Sequence, residues 1–269
     1  MRILGSLVLI AFAAAATPAA AQPYPFSEAV RAGDILYLSG QIGVAPGTAK
    51  PVSGGVTAET RQAMDNIGAT LRRHGLGYGH LVRCMVMLTD MTQWPELNRV
   101  YASYFPDGRY PARSAIGAST LALGAQVEIE CTARVPAAPR AINPGTPLGP
   151  YSQAVSTGGL VYISGVIAYD ADRKQFAEAT IDAQMRQVFA NLDSVLAGAG
   201  VRREDIVKTT LFLRDPKDMP AANAAYAAYF SGAKPARTSV PGADWGRPEI
   251  LVEIEAVAVA ADRPNGGKP

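Results

Sequence analysis

Leu36-Tyr37-Leu38-Ser39-Gly40-Gln41-Ile42 returns 125 positions later as Val161-Tyr162-Ile163-Ser164-Gly165-Val166-Ile167. In both stretches an apolar, β-branched or aromatic run reaches a Ser-Gly pair, the pattern of a buried strand that ends at a turn. Working outward, the same offset carries Asn98-x-x-Tyr101-x-x-Tyr104-Phe105 onto Asn223-x-x-Tyr226-x-x-Tyr229-Phe230, and Val127-Glu128-Ile129-Glu130 onto Val252-Glu253-Ile254-Glu255. Pro111-Ala112-Arg113 matches Pro235-Ala236-Arg237 at an offset of 124, so one residue is lost before that motif and regained after it. Solenoid repeats have periods of roughly 20–50 residues, and this one is the size of a whole small domain. Two copies of one domain account for almost the entire chain.

Each copy reads as β-β-α-β-α-β-β. A short alternating segment, FSEAVRAG or YSQAVSTGG, precedes the Ser-Gly strand. A helical pattern follows, TAETRQAMDNIGATLRRHG in the first copy and IDAQMRQVFANLDSVLAGAG in the second, with apolar residues on one stripe and glycine at the end. Then come LVRCMVMLTD or IVKTTLFLRD, a shorter helix carrying the Asn-x-x-Tyr motif, and two closing strands. The predicted fold class is α+β, with two helices on one face of a largely antiparallel or mixed sheet in each of two tandem domains. The domains are placed at residues 23–135 and 150–261. A Pro/Gly-rich linker spans 136–149, and a tail spans 262–269.

The N-terminus, MRILGSLVLIAFAAAATPAAA, has one positive charge at Arg2, an apolar stretch from Ile3 to Ala16 and the small residues Ala19-Ala20-Ala21. This is the layout of a secretory signal peptide, with cleavage predicted after Ala21. The apolar stretch is shorter than the ~20 residues that span a bilayer. The expectation is an exported protein, periplasmic in a Gram-negative source. Twenty-five Lys and Arg against 23 Asp and Glu leave no basic patch of the kind nucleic-acid binders use. Partners are expected to be small molecules or further copies of the chain. No C-x-x-C, H-E-x-x-H or carboxylate-rich loop suggests a metal. Cys84 and Cys131 fall in strand-like runs of the first copy. They either pair in an oxidising compartment or sit as two small buried hydrophobes. His74 and His80 lie in a Gly-rich turn without counterparts in the second copy, as surface loop residues.

Some polar residues are kept in both copies where a core does not require them. Arg113 and Arg237 each follow Pro-Ala at the start of a strand, where a guanidinium offers a planar fork to a carboxylate. Glu128 and Glu253 each open a Glu-Ile-Glu run whose two carboxylates share one sheet face. A carboxylate near a cationic arginine can act as an acid/base group, whereas Glu130 and Glu255 read as residues of an exposed polar face. Ser39 and Ser164 close their strands with no His-Asp pair recurring beside them, so they read as pocket-lining hydroxyls or turn residues rather than as members of a hydrolase triad. Asn98 and Asn223 sit early in the second helix, and the paired Tyr and Phe of that helix read as core.

PYSQAV (150–155), VYISGVI, VKTTLFL, N-x-x-Y-x-x-Y-F, PAR-[ST] and VEIEA-x-A together resemble the Rid family, also called the YjgF family, of reactive-intermediate deaminases. The resemblance covers both copies nearly end to end. It implies a chorismate-mutase-like fold in each copy and trimer-like association, with pockets in the clefts between neighbouring domains. The implied activity is hydrolysis of 2-imino acids or their enamine tautomers to 2-oxo acids and ammonia, without a cofactor. An arginine would hold the substrate carboxylate while a glutamate and water manage proton transfer. By position this assigns Arg237, Glu253, Arg113 and Glu128 as catalytic, and Tyr151, Ser164, Asn223, Ser39 and Asn98 as substrate-binding. Phe26 replaces the family tyrosine in the first copy. The position two after the arginine, often cysteine in the family, is Ala115 in one copy and Ser239 in the other. These departures favour the second copy as the seat of a site, while a cleft between domains would draw residues from both. A non-catalytic module binding a small carboxylate and a chaperone-like protein are the alternatives to the enzyme, and a ribonuclease ranks last.

Overall fold

A computed structural model describes residues 25–135 and 139–260. The signal-peptide reading and the C-terminal tail lie outside the described residues. The first copy comprises β1 (Ala29–Ala32), β2 (Ile35–Leu38), β3 (Gln41–Ile42), α1 (Gly55–Arg73), β4 (Leu81–Leu88), α2 (Trp94–Ala102), β5 (Ala112–Gly117) and β6 (Val127–Arg134). The second comprises β7 (Arg140–Ile142), β8 (Ala154–Thr157), β9 (Leu160–Ile167), β10 (Tyr169–Asp170), β11 (Gln175–Phe176), α3 (Ile181–Ala199), β12 (Ile206–Leu213), α4 (Met219–Tyr229), β13 (Ala236–Pro241) and β14 (Val252–Val259).

The two main sheets run β1-β2-β6-β4-β5, with β3 also on β6, and β13-β12-β14-β9-β8-β7. Both are mixed. β4 pairs with β5, and β12 with β13, in parallel because a helix carries each crossover, and the other pairings are antiparallel. β7 corrects the sequence reading. Arg140–Ile142 lies inside the stretch read as linker but pairs with Ala154–Ser156, adding an edge strand to the second sheet. Three residues among prolines are too few for periodicity to reveal.

Each copy builds its own core from the helix-facing side of its sheet. Leu36, Met64, Ile67, Leu71, Val86, Leu97, Tyr101 and Ile129 pack together in the first. Ile163, Met185, Val188, Leu192, Leu211, Tyr226 and Ile254 do so in the second. The helix stops are those the glycines signal, with Gly75 and Gly200 both at positive φ (73° and 72°). Thr180 caps α3 by accepting from the Ala183 N–H. Cys84 and Cys131, register partners on β4 and β6, form a disulfide inside the first core.

The copies meet where β5, the edge of the first sheet, lies beside β9 and the segment leading into β8. Ala112 bridges Ser152 and Gly117 bridges Asp244. Val82 and Ala112 pack on Val155 and Tyr162. Glu255 corrects the expectation of an exposed carboxylate. It is 7% exposed, held by Arg83 at 2.8 Å and by the Ser114 hydroxyl at 2.7 Å across the domain boundary. Glu130, by contrast, is only partly covered, 3.8 Å from Arg83.

Candidate active site

The Ser-Gly pairs mark the same local irregularity in both copies. Between the partners Ile163↔Ala256 and Val166↔Ile254, β9 advances three residues while β14 advances two. In the first copy, Tyr37↔Thr132 and Gln41↔Ile129 again leave one extra residue on the Ser-Gly strand. A one-residue bulge bends a strand and re-aims its side chains. Each bulge brings the glycine against the glutamate of the facing strand. A Cβ on Gly40 would overlap the Glu128 carboxylate, and one on Gly165 would overlap that of Glu253. The serines then bond back along the chain in matching fashion. Ser39 Oγ donates to Ser27 O (2.7 Å) and Ser164 Oγ to Ser152 O (2.5 Å).

The surroundings of the two copies differ beyond this point. Ser164 Oγ also accepts the backbone N–H of Arg113 at 2.7 Å, so a serine of the second copy seats the arginine of the first. Arg113 is 3% exposed. Its Nη2 donates to Asn98 Oδ1 at 2.9 Å, and its guanidinium carbon lies 4.6, 4.8 and 5.8 Å from the ring centres of Trp94, Tyr101 and Tyr151. Tyr151, from the second copy, reaches Arg113 from across the boundary. Burial lowers the Arg113 pKa, opposed by Tyr101, Tyr151 and the Glu253 carboxylate. Glu253, 5% exposed, has its pKa pushed up to about 8 by burial. The hydrogen bond from Trp245 and the charge of Arg113 oppose that rise, and Glu255 adds to it. Among the described residues, Arg113 Nη1 and Glu253 Oε1 are buried atoms with no hydrogen-bond partner. Beside them, along the wall of the second copy, a groove of about 500 Å³ is lined by Tyr151, Ser164, Gly165, Gln187 and Asn191 among others.

The structure therefore assembles Arg113 and Asn98 of the first copy with Tyr151, Ser164 and Glu253 of the second. The arginine and asparagine of this group come from the first copy, and the tyrosine, serine and glutamate from the second. Arg237 has the same local partners, Asn223 Oδ1 at 2.7 Å and the Tyr226 ring at 4.7 Å, but it is exposed on the outer strand β13. Ser39 and Glu128 lie on the far side of the first copy, beside the exposed Phe26, and are only partly covered. The pKa of Glu128 is raised by burial and by Glu130. Sequence reasoning passed over three residues of this site. Trp94 and Trp245 have no matching residue in the other copy, so comparing copies could not flag them. Ser114 was hidden because its partner Glu255 read as exposed.

A duplicated α+β domain that brings a buried arginine of one copy near a buried, protonatable glutamate of the other defines the class. The chain belongs to the family described as Endoribonuclease L-PSP, which takes in the Rid (YjgF) proteins, and its model matches residues 14–135 and again 141–260. Mouse 2-iminobutanoate/2-iminopropanoate deaminase is 36% identical over 130 residues, 48% of this chain and 94% of the mouse protein. Reactive Intermediate Deaminase A, chloroplastic, of Arabidopsis thaliana is 40% identical over 116 residues, 43% of this chain and 60% of that protein. Among solved structures, E. coli TdcF with bound serine is 28% identical, with a TM-score of 0.41, over 43% of this chain and 92% of that one.

Proposed function

We propose that the chain hydrolyses small enamine or imine carboxylates, 2-imino acids, to 2-oxo acids and ammonia, and that the cleft between the copies is the working site. The carrying observation is the pair of unpartnered buried atoms, Arg113 Nη1 and Glu253 Oε1, one cationic and one acidic. A desolvated guanidinium with a free N–H takes up a substrate carboxylate. That places the adjacent C=N bond in front of a carboxyl group that is neutral below about pH 8. Glu253 gives its proton to the imine nitrogen, water adds to the iminium carbon, and the ionised Glu253 takes the proton that water loses. Glu253 then protonates the amine. The C–N bond breaks as C=O forms, ammonia leaves, and the hydroxyl proton returns to Glu253. A carboxyl group titrating near the working pH suits both directions of transfer.

Association of several copies is part of the same reading. Val82, Ala112, Val155 and Tyr162 bury one another inside the chain. Their counterparts on the outer surfaces, Val207, Val30 and Tyr37, are 47%, 55% and 50% exposed, and Ala236 is exposed as well. A homo-oligomer with a trimer-like arrangement of domains would cover them and complete a second cleft from Arg237 and Asn223 with Ser39 and Glu128. Export to the periplasm through residues 1–21 completes the proposal.

The test is hydrolysis of freshly generated 2-iminopropanoate by Arg113→Ala, Arg237→Ala and the double variant. Arg113→Ala loses the intramolecular cleft and most of the activity, while Arg237→Ala loses only what an intermolecular cleft contributes. A double variant as fast as the parent would refute the arginine role. Ligand-dependent thermal stabilisation without turnover would indicate a binding module instead.

A further inference from the structure

Among the described residues, Trp245 is the one side chain that reaches the Glu253 carboxylate through a hydrogen bond, its indole Nε1–H donating to Oε2 at 2.7 Å in a buried setting. The ring is 7% exposed and packs with Phe212, Ala243 and Ile250 of its own copy and with Met85 and Ile116 of the other. The loop that carries it is pinned from several sides. Arg214 donates to Ile250 O (2.8 Å) and Arg247 O (2.7 Å), pairs with Asp244 (3.0 Å), and sits 5.6 Å from the indole. Asp244 O accepts the N–H of Gly117 from the first copy at 2.7 Å. Gly246 turns at φ 66° and leaves no room for a Cβ against Met91. The corresponding loop of the first copy, between Gly117 and Val127, has no aromatic residue, and among the described residues no indole donates to Glu128.

An indole N–H can donate but never accept. Oε2 must therefore act as an acceptor whether Glu253 is neutral or ionised, and in the neutral acid the carbonyl oxygen is the stronger acceptor, which favours Oε2 for that role. The proton is left to Oε1, the oxygen without a protein partner. We propose that Trp245 is a positioning residue which restricts the exchangeable proton of Glu253 to Oε1 and holds that oxygen against Gly165, on the wall of the groove. The duplicated glutamates are then not interchangeable, since no indole donor meets Glu128 among the described residues. The significance for turnover rests on the reading of Glu253 as the acid/base group, but the assignment of the proton does not. Three charged or titratable groups bear on Glu253: Glu255 on its own strand, Arg113 on β5 and Tyr151 ahead of β8.

The test begins with the indole resonances of the ¹⁵N-labelled full chain, which has two tryptophans. The signal missing from Trp245→Phe is expected to move with pH with a midpoint near 8 in the parent, and not to move in Glu253→Gln. A signal that ignores pH, or that titrates alike in Glu253→Gln, overturns the contact. Difference infrared spectra of parent minus Glu253→Gln, taken below that midpoint, isolate the C=O stretch of the neutral acid. It should lie lower in the parent than in Trp245→Phe, because the accepted bond falls on the carbonyl oxygen. Equal positions overturn the assignment of the proton to Oε1. In the kinetic arm, loss of the donor raises the upper inflection of the kcat/KM pH profile in Trp245→Phe by about one unit. A rate loss with an unmoved inflection would mark the tryptophan as merely structural. If the parent does not hydrolyse imines, the resonance and infrared arms still decide the proposal, and only the function of the site falls.

Discussion

Ser164→Ala and Ser39→Ala are the same chemical change at duplicated positions, so each is the control for the other. Ser164 is 2% exposed, and its hydroxyl links Ser152 O to the Arg113 N–H across the domain boundary. Removing it leaves a buried donor and a buried acceptor without the partner they share. An orphaned buried polar group costs about 1–3 kcal/mol, so the pair costs about 2–6 kcal/mol. Ser39 is only partly covered and makes one bond, to Ser27 O, whose loss costs about 0.5–1.5 kcal/mol because water can replace it. At about 2–4 °C per kcal/mol for a chain of this size, Ser164→Ala should lower Tm by roughly 4–24 °C, more than Ser39→Ala. Urea unfolding followed by circular dichroism supplies the free energies, and imine hydrolysis should fall further in Ser164→Ala, whose lost bond seats Arg113. A loss of less than about 1 kcal/mol in Ser164→Ala would refute the reasoning, because it would mean that Ser164 does not bond across the boundary.

The pKa of Glu253, raised from 4.5 to about 8, also sets a pH dependence of stability. Between those values the native state keeps a proton that the unfolded chain has released, so this contribution is full below about pH 4.5 and declines as pH rises to about 8. Glu253→Gln should therefore flatten the fall in Tm between about pH 5 and 8, and a calorimetric series that leaves the slope unchanged would contradict the burial of the carboxyl group. The Cys84–Cys131 disulfide closes a loop of 47 residues, worth about 4 kcal/mol by chain entropy. Reduction, or Cys84→Ala with Cys131→Ala, should lower the denaturant midpoint accordingly, read in parallel unfolding curves with and without reductant.

The duplication, the element order and the two helix-faced cores are legible from the chain alone, because each rests on local pattern. Apolar stripes at helical spacing, alternation in strands and glycines at positive φ act over a few residues, and the second copy repeats the signal. The polar residues of the site could be picked out for the same reason, since a residue kept in both copies stands out against a varying background. Their inequality could not. Arg113 and Arg237 share the same triplet, the same asparagine and the same tyrosine, yet one is buried and the other exposed. What separates them is that β5 lies against the second copy while β13 is an outer edge. Glu255 read as a surface carboxylate because strand alternation tells which residues share a face, not what covers that face. Trp245 had no counterpart to draw attention to it, and it meets Glu253 only because its loop folds back and is pinned to Gly117 of the other copy. The sequence alone thus determined two like domains with like chemistry. Only the packing of one domain's edge strand on its neighbour decided which arginine, serine and glutamate form a cleft, because burial depends on contacts between residues that are distant in the chain.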